Sequence, residues 1–338
     1  MTCRDRGDQM GRRKNYSDMS LTERIGLVER IYVVYPRLQA IVNRITERHE
    51  LSKLSGEPTG FFVTGPPGVG KTTLLRHYLG LHPRSRNEEG LRVPVLTCTT
   101  PRPATAKSLA GMLLHNLGDP AATRGTTIGQ TIRLYKLMEK CQVEFLILDE
   151  FQHFIDMESQ RILLNVSDWL KNLLDETHLP MLLMGLPHSD DVLAANPQLE
   201  RRFSSRQRLE PFGCKTAGEW NEFRSLLARV DELLPLNQSS HLADESMAMR
   251  LFYASRGVIS SVMKIVRRAT LLAIKGMKES LSMELLSLAY KEELEGKSRA
   301  RSNPFDRQIR WSDIEAEEFA SVQRTVGAAG RRLRRKKW

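Results

Sequence analysis

Apolar residues recur along this chain at two spacings, and the balance between them changes once. Up to about residue 210, short unbroken apolar runs alternate with stretches of helical period; beyond residue 215 only the helical period remains. The runs are Phe61 to Val63, Val93 to Thr97, Phe145 to Leu148 and Leu179 to Met184, and a short fifth strand is expected near Arg206 to Leu209. Each is too short for a helix, and together they predict strands. Their apolar character is continuous rather than alternating, which predicts burial on both faces and hence a parallel sheet covered by helices. Helical stretches at about 74–81, 105–117, 127–141 and 159–176 fall between them. Strand and helix in alternation predict an α/β fold with a parallel sheet and helices on both faces.

Two amphipathic helices precede the first strand. One carries Ile25, Leu27, Val28, Ile31 and Tyr32; the other runs from Pro36 to Glu50 with Leu38, Ile41, Val42 and Ile45 on one face. After Pro211 the pattern predicts helices at about 215–229, 241–255, 258–275 and 280–294, with breaks at Leu236 to Ser240 and at Gly257. The expected organisation is a basic N-terminal segment (1–20), an α/β domain with its N-terminal helices (21–210), an all-helical lid domain (211–296) and a basic C-terminal tail (297–338).

The first apolar run leads directly into Gly65-Pro66-Pro67-Gly68-Val69-Gly70-Lys71-Thr72-Thr73 and then into a helix. This is G-x-x-x-x-G-K-[ST] in the context the pattern requires, strand before and helix after. Glycines at 65, 68 and 70 permit backbone that side chains would block, so the loop can turn its N–H groups around a phosphate at the positive end of the helix. Lys71 supplies a point charge for the β- and γ-phosphates, and the Thr72 hydroxyl is placed to ligate Mg²⁺. The expected ligands are ATP and Mg²⁺.

A second motif completes such a site. Phe145-Leu146-Ile147-Leu148-Asp149-Glu150 is a buried-strand pattern ending in two acids, at the strand end where parallel sheets bind ligands. Asp149 is the expected partner of Mg²⁺, and Glu150 the residue that orients and deprotonates an attacking water. Having Glu150 argues for hydrolysis beyond nucleotide binding. His153 either contacts this acid or packs within its loop. Arg201 and Arg202, just after the helix that follows the fourth strand, either project an arginine finger into a neighbouring subunit or compensate a helix dipole. Prolines on both sides of Arg102 hold that arginine on a stiff extended turn.

Composition narrows the setting. With 338 residues, 41% hydrophobic and 27% charged, the chain has the make-up of a globular protein with room for a large core and a smaller domain. No apolar run approaches a membrane span, and Met1 to Lys14 is polar and basic, unlike a secretory signal; the expectation is a cytoplasmic protein without a membrane partner. Cys3, Cys98, Cys141 and Cys214 lack metal-site spacing and are read as reduced thiols. The net charge of +11 is uneven: residues 297–338 hold 12 Lys/Arg against 5 Asp/Glu. Such a tail either attracts a polyanion, nucleic acid above all, or simply keeps the terminus solvated. Trp311 and Trp338 among its arginines suit either nucleic acid or a docked protein.

With these motifs in hand, the chain resembles the AAA+ ATPase superfamily, and within it the TniB/TnsC family of transposon target-selection ATPases. The resemblance covers about residues 20–275. Its marks are Glu23-Arg24-Ile25, Tyr35-Pro36, the Walker A stretch Gly65 to Thr73, Pro101-Arg102-Pro103, Leu117-Gly118-Asp119-Pro120, the Walker B acids continuing into Phe151-Gln152-His153, Gly185-Leu186-Pro187, and Leu199 to Phe203. It implies an ATP-dependent oligomer, ring or helical filament, that assembles around duplex DNA. Such proteins pass a target-site signal to a transposase and work with a TniQ-type adaptor, in some cases within CRISPR-associated transposons. By position, Arg102, Thr126 and Thr127 match the loops that touch the DNA backbone, although an ordinary helix cap explains Thr126 equally well.

Two departures from the family pattern bear on rate. The end of the fourth strand offers Gly185, Leu186 and Pro187, where many relatives carry a polar sensor, leaving His188 or Ser189 as the polar choices. The helix after Gly257 lacks an early arginine; Lys264 and Arg267 come later. Both suit a slow timer better than a motor. A helicase-loader or clamp-loader-like ATPase and a non-hydrolysing ATP-gated scaffold are the alternative readings.

Overall fold

The computed structural model describes residues 15–55, 60–88, 90–154, 160–194, 196–294 and 302–315. Cys3 and Trp338, and most of the basic charge assigned to the C-terminal tail, lie outside them. The strands are β1 (Gly60–Thr64), β2 (Ser85–Asn87), β3 (Gly90–Arg92), β4 (Val95–Thr99), β5 (Phe145–Asp149), β6 (Met181–Gly185) and β7 (Ser205–Arg208). The helices are α1 (Leu21–Arg30), α2 (Pro36–Ser55), α3 (Lys71–Leu81), α4 (Ala106–Asn116), α5 (Thr127–Lys140), α6 (Gln160–Thr177), α7 (Asp190–Ala194) and α8 (Pro197–Arg202), followed by α9 (Ala217–Leu233), α10 (Glu245–Ser255), α11 (Ile259–Lys275) and α12 (Met283–Glu293). The chain divides into an α/β unit, Val34–Glu210, and a helical unit made of Met1–Val33 with Pro211–Trp338.

In the α/β unit a five-stranded sheet has the order β4-β5-β6-β1-β7, and every pairing is parallel. All five residues of β1, β5 and β6 are buried, as their unbroken apolar runs require. Leu96, Leu113, Leu134, Leu148, Leu170 and Phe203 contribute to the core around it. At one edge, β7 is Ser-Arg-Gln-Arg, and its Arg206 pairs with Glu200 and Asp190, so this edge is charged rather than sticky. After β1 the chain passes to the far edge at β4 and works back through β5 and β6 until β6 lies beside β1. Register pairs Thr64 with Gly185 and Thr99 with Asp149, so the carboxyl ends of these strands come level and form the crevice where open parallel sheets take ligands.

Two strands differ from the sequence expectation, each because of a proline. The second sheet strand starts at Val95 rather than Val93, and the fourth at Met181 rather than Leu179, because Pro94 and Pro180 have no N–H for a ladder. The expected loop from His82 to Gly90 instead contains the hairpin β2–β3, closed by Gly90 N–H donating to Asn87 Oδ1 at 3.1 Å.

The helical unit is built on α11, whose Val262, Ile265, Val266 and Ala269 are fully buried. Thr216 and Glu219 form a capping box that starts α9. Gly257, at φ +69, turns the chain between α10 and α11; a Cβ there would lie 2.0 Å from the Phe212 carbonyl oxygen. Helix α1 belongs here, not with the α/β domain in which the sequence reading placed it. It packs on α11, Arg24 donates to the Pro235 carbonyl at 2.9 Å, and Arg267 donates to the Ile31 carbonyl at 2.5 Å. An amphipathic stripe announces a buried face without naming what buries it. Part of the region expected to be a basic tail is packed as well. Within residues 302–315, Phe305, Ile309 and Ile314 are buried, and Trp311 meets Trp220 edge-on at 4.8 Å, so that tryptophan is part of the packing.

Candidate nucleotide-binding site

The loop between β1 and α3 has the backbone its glycines foretold, for two distinct reasons. Gly68 and Gly70 sit at φ +83 and +109, where side chains are strained. Gly65 is required by crowding: a Cβ would lie 2.3 Å from the Leu209 carbonyl oxygen and 2.9 Å from Val69 Cγ2. No side chain caps the N-terminus of α3, where Gly70 is the N-cap, so its first N–H groups remain for the loop's own purpose. Tyr35 steadies the loop from below, its hydroxyl donating to the Val69 carbonyl at 3.3 Å.

Lys71 is buried, and its Nζ donates to the carbonyls of Gly65 at 2.6 Å and Pro66 at 3.1 Å. Burial lowers its pKa, while Glu150 and Asp149 act to raise it. Among the described residues no acid forms an ion pair with it, so a buried cation is only partly balanced by the protein. Thr72 is exposed at the start of α3 and Thr73 half-buried behind it.

Asp149 ends β5, buried, its Oδ1 accepting the Glu150 N–H at 2.8 Å. Its pKa is raised, first by burial and then by the Glu150 charge, with that backbone hydrogen bond and Lys71 opposing. Glu150 follows in the left-handed region, φ +55, a strained conformation for a residue with a Cβ. Its side chain keeps 41% of its exposure. Thr100, at the end of β4, donates both its N–H (2.9 Å) and its hydroxyl (2.8 Å) to the Asp149 carbonyl, tying the two strand ends together.

His153 does both of the things considered for it. Its Nδ1 lies 2.8 Å from the Thr100 carbonyl and its Nε2 4.0 Å from Glu150 Oε2. The residue that sequence reasoning missed is Gln152, whose amide bonds to Glu150 on one side and to the backbone of Leu186 on the other. It stood in the motif as a family mark without a role.

The remaining candidates are spread over the same unit. The Arg201 side chain is exposed and has no hydrogen bond or ion pair with described residues, whereas Arg202 is bridged to Asp175 at 2.9 Å. Arg102 is exposed on its proline-flanked turn. Thr126 is the N-cap of α5, its Oγ1 accepting the Gly129 N–H at 3.1 Å, and the Thr127 carbonyl accepts from the Thr131 hydroxyl at 2.8 Å. In the helical unit, Arg267 is engaged with Ile31, and Lys264 is exposed.

The donor set fits a magnesium nucleotide. A glycine loop leading to a helix N-terminus without a side-chain cap and a buried ammonium suit phosphates, and a hydroxyl with a carboxylate supplies hard oxygen donors of the kind Mg²⁺ takes from protein beside phosphate oxygens. A family model described as "Bacterial TniB protein" matches residues 25–212. The chain belongs to the TniB family. No curated protein matches it. In fold, this TniB-family chain is similar to Aeropyrum pernix ORC2 in ADPNP–ADP complexes, at 17% identity and TM-score 0.58, covering 79% of this chain and 71% of that one. It is likewise similar to Cdc6p from Pyrobaculum aerophilum, at 15% identity and TM-score 0.59, with 80% and 71% covered. A third neighbour is the Aeropyrum pernix ORC1 protein in complex with DNA, at 15% identity and TM-score 0.56, with 79% and 69% covered. The architecture is that of a P-loop AAA+ protein with a C-terminal helical domain. Among the described residues no helix is long and apolar enough to cross a membrane.

Proposed function

We propose that this TniB-family chain is an ATP-dependent, DNA-binding AAA+ regulator of transposition. It oligomerises on duplex DNA in the cytoplasm and links target selection to the transposase through a TniQ-type adaptor. The observation that carries the reading is that Lys71, which follows β1, feels the charges of Glu150 and Asp149 at the end of β5, in a chain of this family.

In this reading Gly65 to Thr73 wrap the phosphates of ATP, and Lys71 turns from its loop carbonyls toward the β- and γ-phosphates. Thr72 and Asp149 would hold Mg²⁺, which would supply positive charge beside the phosphates. Glu150 takes the proton of the attacking water, and its partly exposed carboxylate supports that role. Arg201 of a neighbouring copy completes the site in trans. It is preferred to Arg202 because Asp175 already holds the latter. A head-to-tail interface of this kind propagates into a filament when its rotation does not close. Arg102, Thr126 and Thr127 face the DNA backbone, so binding depends steeply on salt and little on sequence. Hydrolysis is slow, and it dissolves the assembly.

Electron microscopy of the protein with plasmid and ATP tests this. Wild type assembles on DNA with ATP, Lys71→Ala does not, and Glu150→Gln gives assemblies that persist. Wild type that stays monomeric with a nonhydrolysable analogue and plasmid overturns the reading. Assembly with no measurable turnover would favour the scaffold instead.

A further inference from the structure

The end of β6 carries no polar side chain toward the acids at the end of β5, only Gly185 and Leu186. The structure makes the connection from the opposite direction. Gln152 is 5% exposed, and its Oε1 accepts the Leu186 N–H at 3.1 Å. A backbone N–H can only donate, so this contact fixes the orientation of the amide. The NH₂ group is thereby turned to Glu150, where it donates to Oε2. Gly185 keeps the space open: a Cβ there would lie 3.1 Å from Gln152 Oε1 and 2.4 Å from Ser189 Oγ. His153 Nε2 stands 4.0 Å from the same Glu150 oxygen.

We propose that Gln152 is the positioning residue for Glu150, tying one carboxylate oxygen to the end of β6 so that the other is aimed at the attacking water. The inference rests on the hydrolytic reading of the site. Its physical sense is that Glu150 is a partly exposed side chain on strained backbone, with orientations to lose before it can act as a base. The buried amide removes that freedom, and it does so from the strand that lies between β5 and β1. Gln152 thus links the β6 end to the base, a task for which the strand itself has no side chain. Movement of the Gly185–Ser189 turn would be felt at Glu150 through a single side chain.

The test is steady-state ATP turnover of the full chain with duplex DNA, alongside binding of a fluorescent ATP analogue and thermal melting. The variants are Gln152→Met, Gln152→Asn, Glu150→Gln and the double variant Gln152→Met/Glu150→Gln. Gln152→Met keeps the length of the side chain and removes both hydrogen bonds, and Gln152→Asn keeps the amide but cannot span both partners. The expected result for each is a kcat lower by about 10- to 100-fold, with KM and analogue affinity within about twofold of wild type. The double variant should turn over no more slowly than Glu150→Gln alone, because Gln152 acts only through Glu150. Unchanged or raised kcat in both single Gln152 variants overturns the proposal, as does a loss confined to analogue affinity. An additive loss in the double variant also overturns it. Wild type without turnover under these conditions removes the hydrolytic reading and this proposal with it, and is told apart by the wild-type arm alone.

Discussion

Two aspartates, one in each unit, are buried to the same degree and treated in opposite ways. Asp231, on α9, is 6% exposed and Asp149, at the end of β5, is 7% exposed. Asp231 accepts from the Ser239 hydroxyl at 2.9 Å, the Ser240 N–H at 3.0 Å and the Leu242 N–H at 3.3 Å, which staples the connection after α9 to its helix. Asp149 accepts one backbone N–H, and its burial is left as a raised pKa. An acid used for structure is saturated by its own chain; an acid kept for a ligand is not. Arginines repeat the contrast. Arg250 of the helical unit spends its Nη1 on the carbonyls of Pro304 and Arg307, while Arg201 of the α/β unit has no partner among the described residues.

The contrast can be broken at several points. The largest effect is expected from Arg201→Ala, with DNA-stimulated turnover falling by about 10³-fold at unchanged melting temperature, as for arginine fingers. Its neighbour Arg202→Ala should lose only a surface bridge, about 0–1 kcal/mol, and keep its turnover. Equal losses in the two variants, measured as kcat at saturating DNA, would erase the distinction drawn between them. Asp149→Asn is next. Turnover should drop by about 100-fold or more, while stability is unchanged or slightly raised, because a costly buried charge has been removed. Denaturant titration beside the ATPase assay separates the two quantities.

Asp231→Ala inverts that pattern. It orphans the Ser240 and Leu242 N–H groups and should cost about 3 kcal/mol in a denaturant titration, with analogue affinity of the folded protein within about twofold of wild type. If Asp231→Ala weakened nucleotide binding without loss of stability, the two aspartates would not differ as described. The smallest effect belongs to Thr126→Ala, which removes the α5 cap and should lower stability by about 1 kcal/mol. If the hydroxyl serves only as that cap, DNA affinity at constant salt stays put. A sequence-independent fall in affinity would instead place Thr126 on the phosphate backbone beside Arg102.

Much of the α/β unit is local in origin, and so it can be read from the chain. The four apolar runs, the glycines of the loop after β1 and the acids after Leu148 each express their meaning within a few residues, and most of the sheet follows from their order. Other features are decided by the fold. Gln152 meets Leu186, 34 positions away, and neither residue's identity announces the other. Arg201 and Arg202 are neighbours of the same type, and only the approach of Asp175 distinguishes them. Trp311 stands among basic residues in sequence but against Trp220 in space.

The sequence by itself therefore determined the parallel α/β unit, the phosphate loop with its two acids and the helical region that follows. These rest on periodicity and backbone conformation, which are set by short-range sterics and hydrophobic burial. Only the tertiary structure decided that α1 joins the helical unit, that the 302–315 segment packs there, and that Gln152 holds Glu150. An apolar face or a polar side chain states a need for a partner, and the partner is selected by whatever the folded chain brings within a few ångströms.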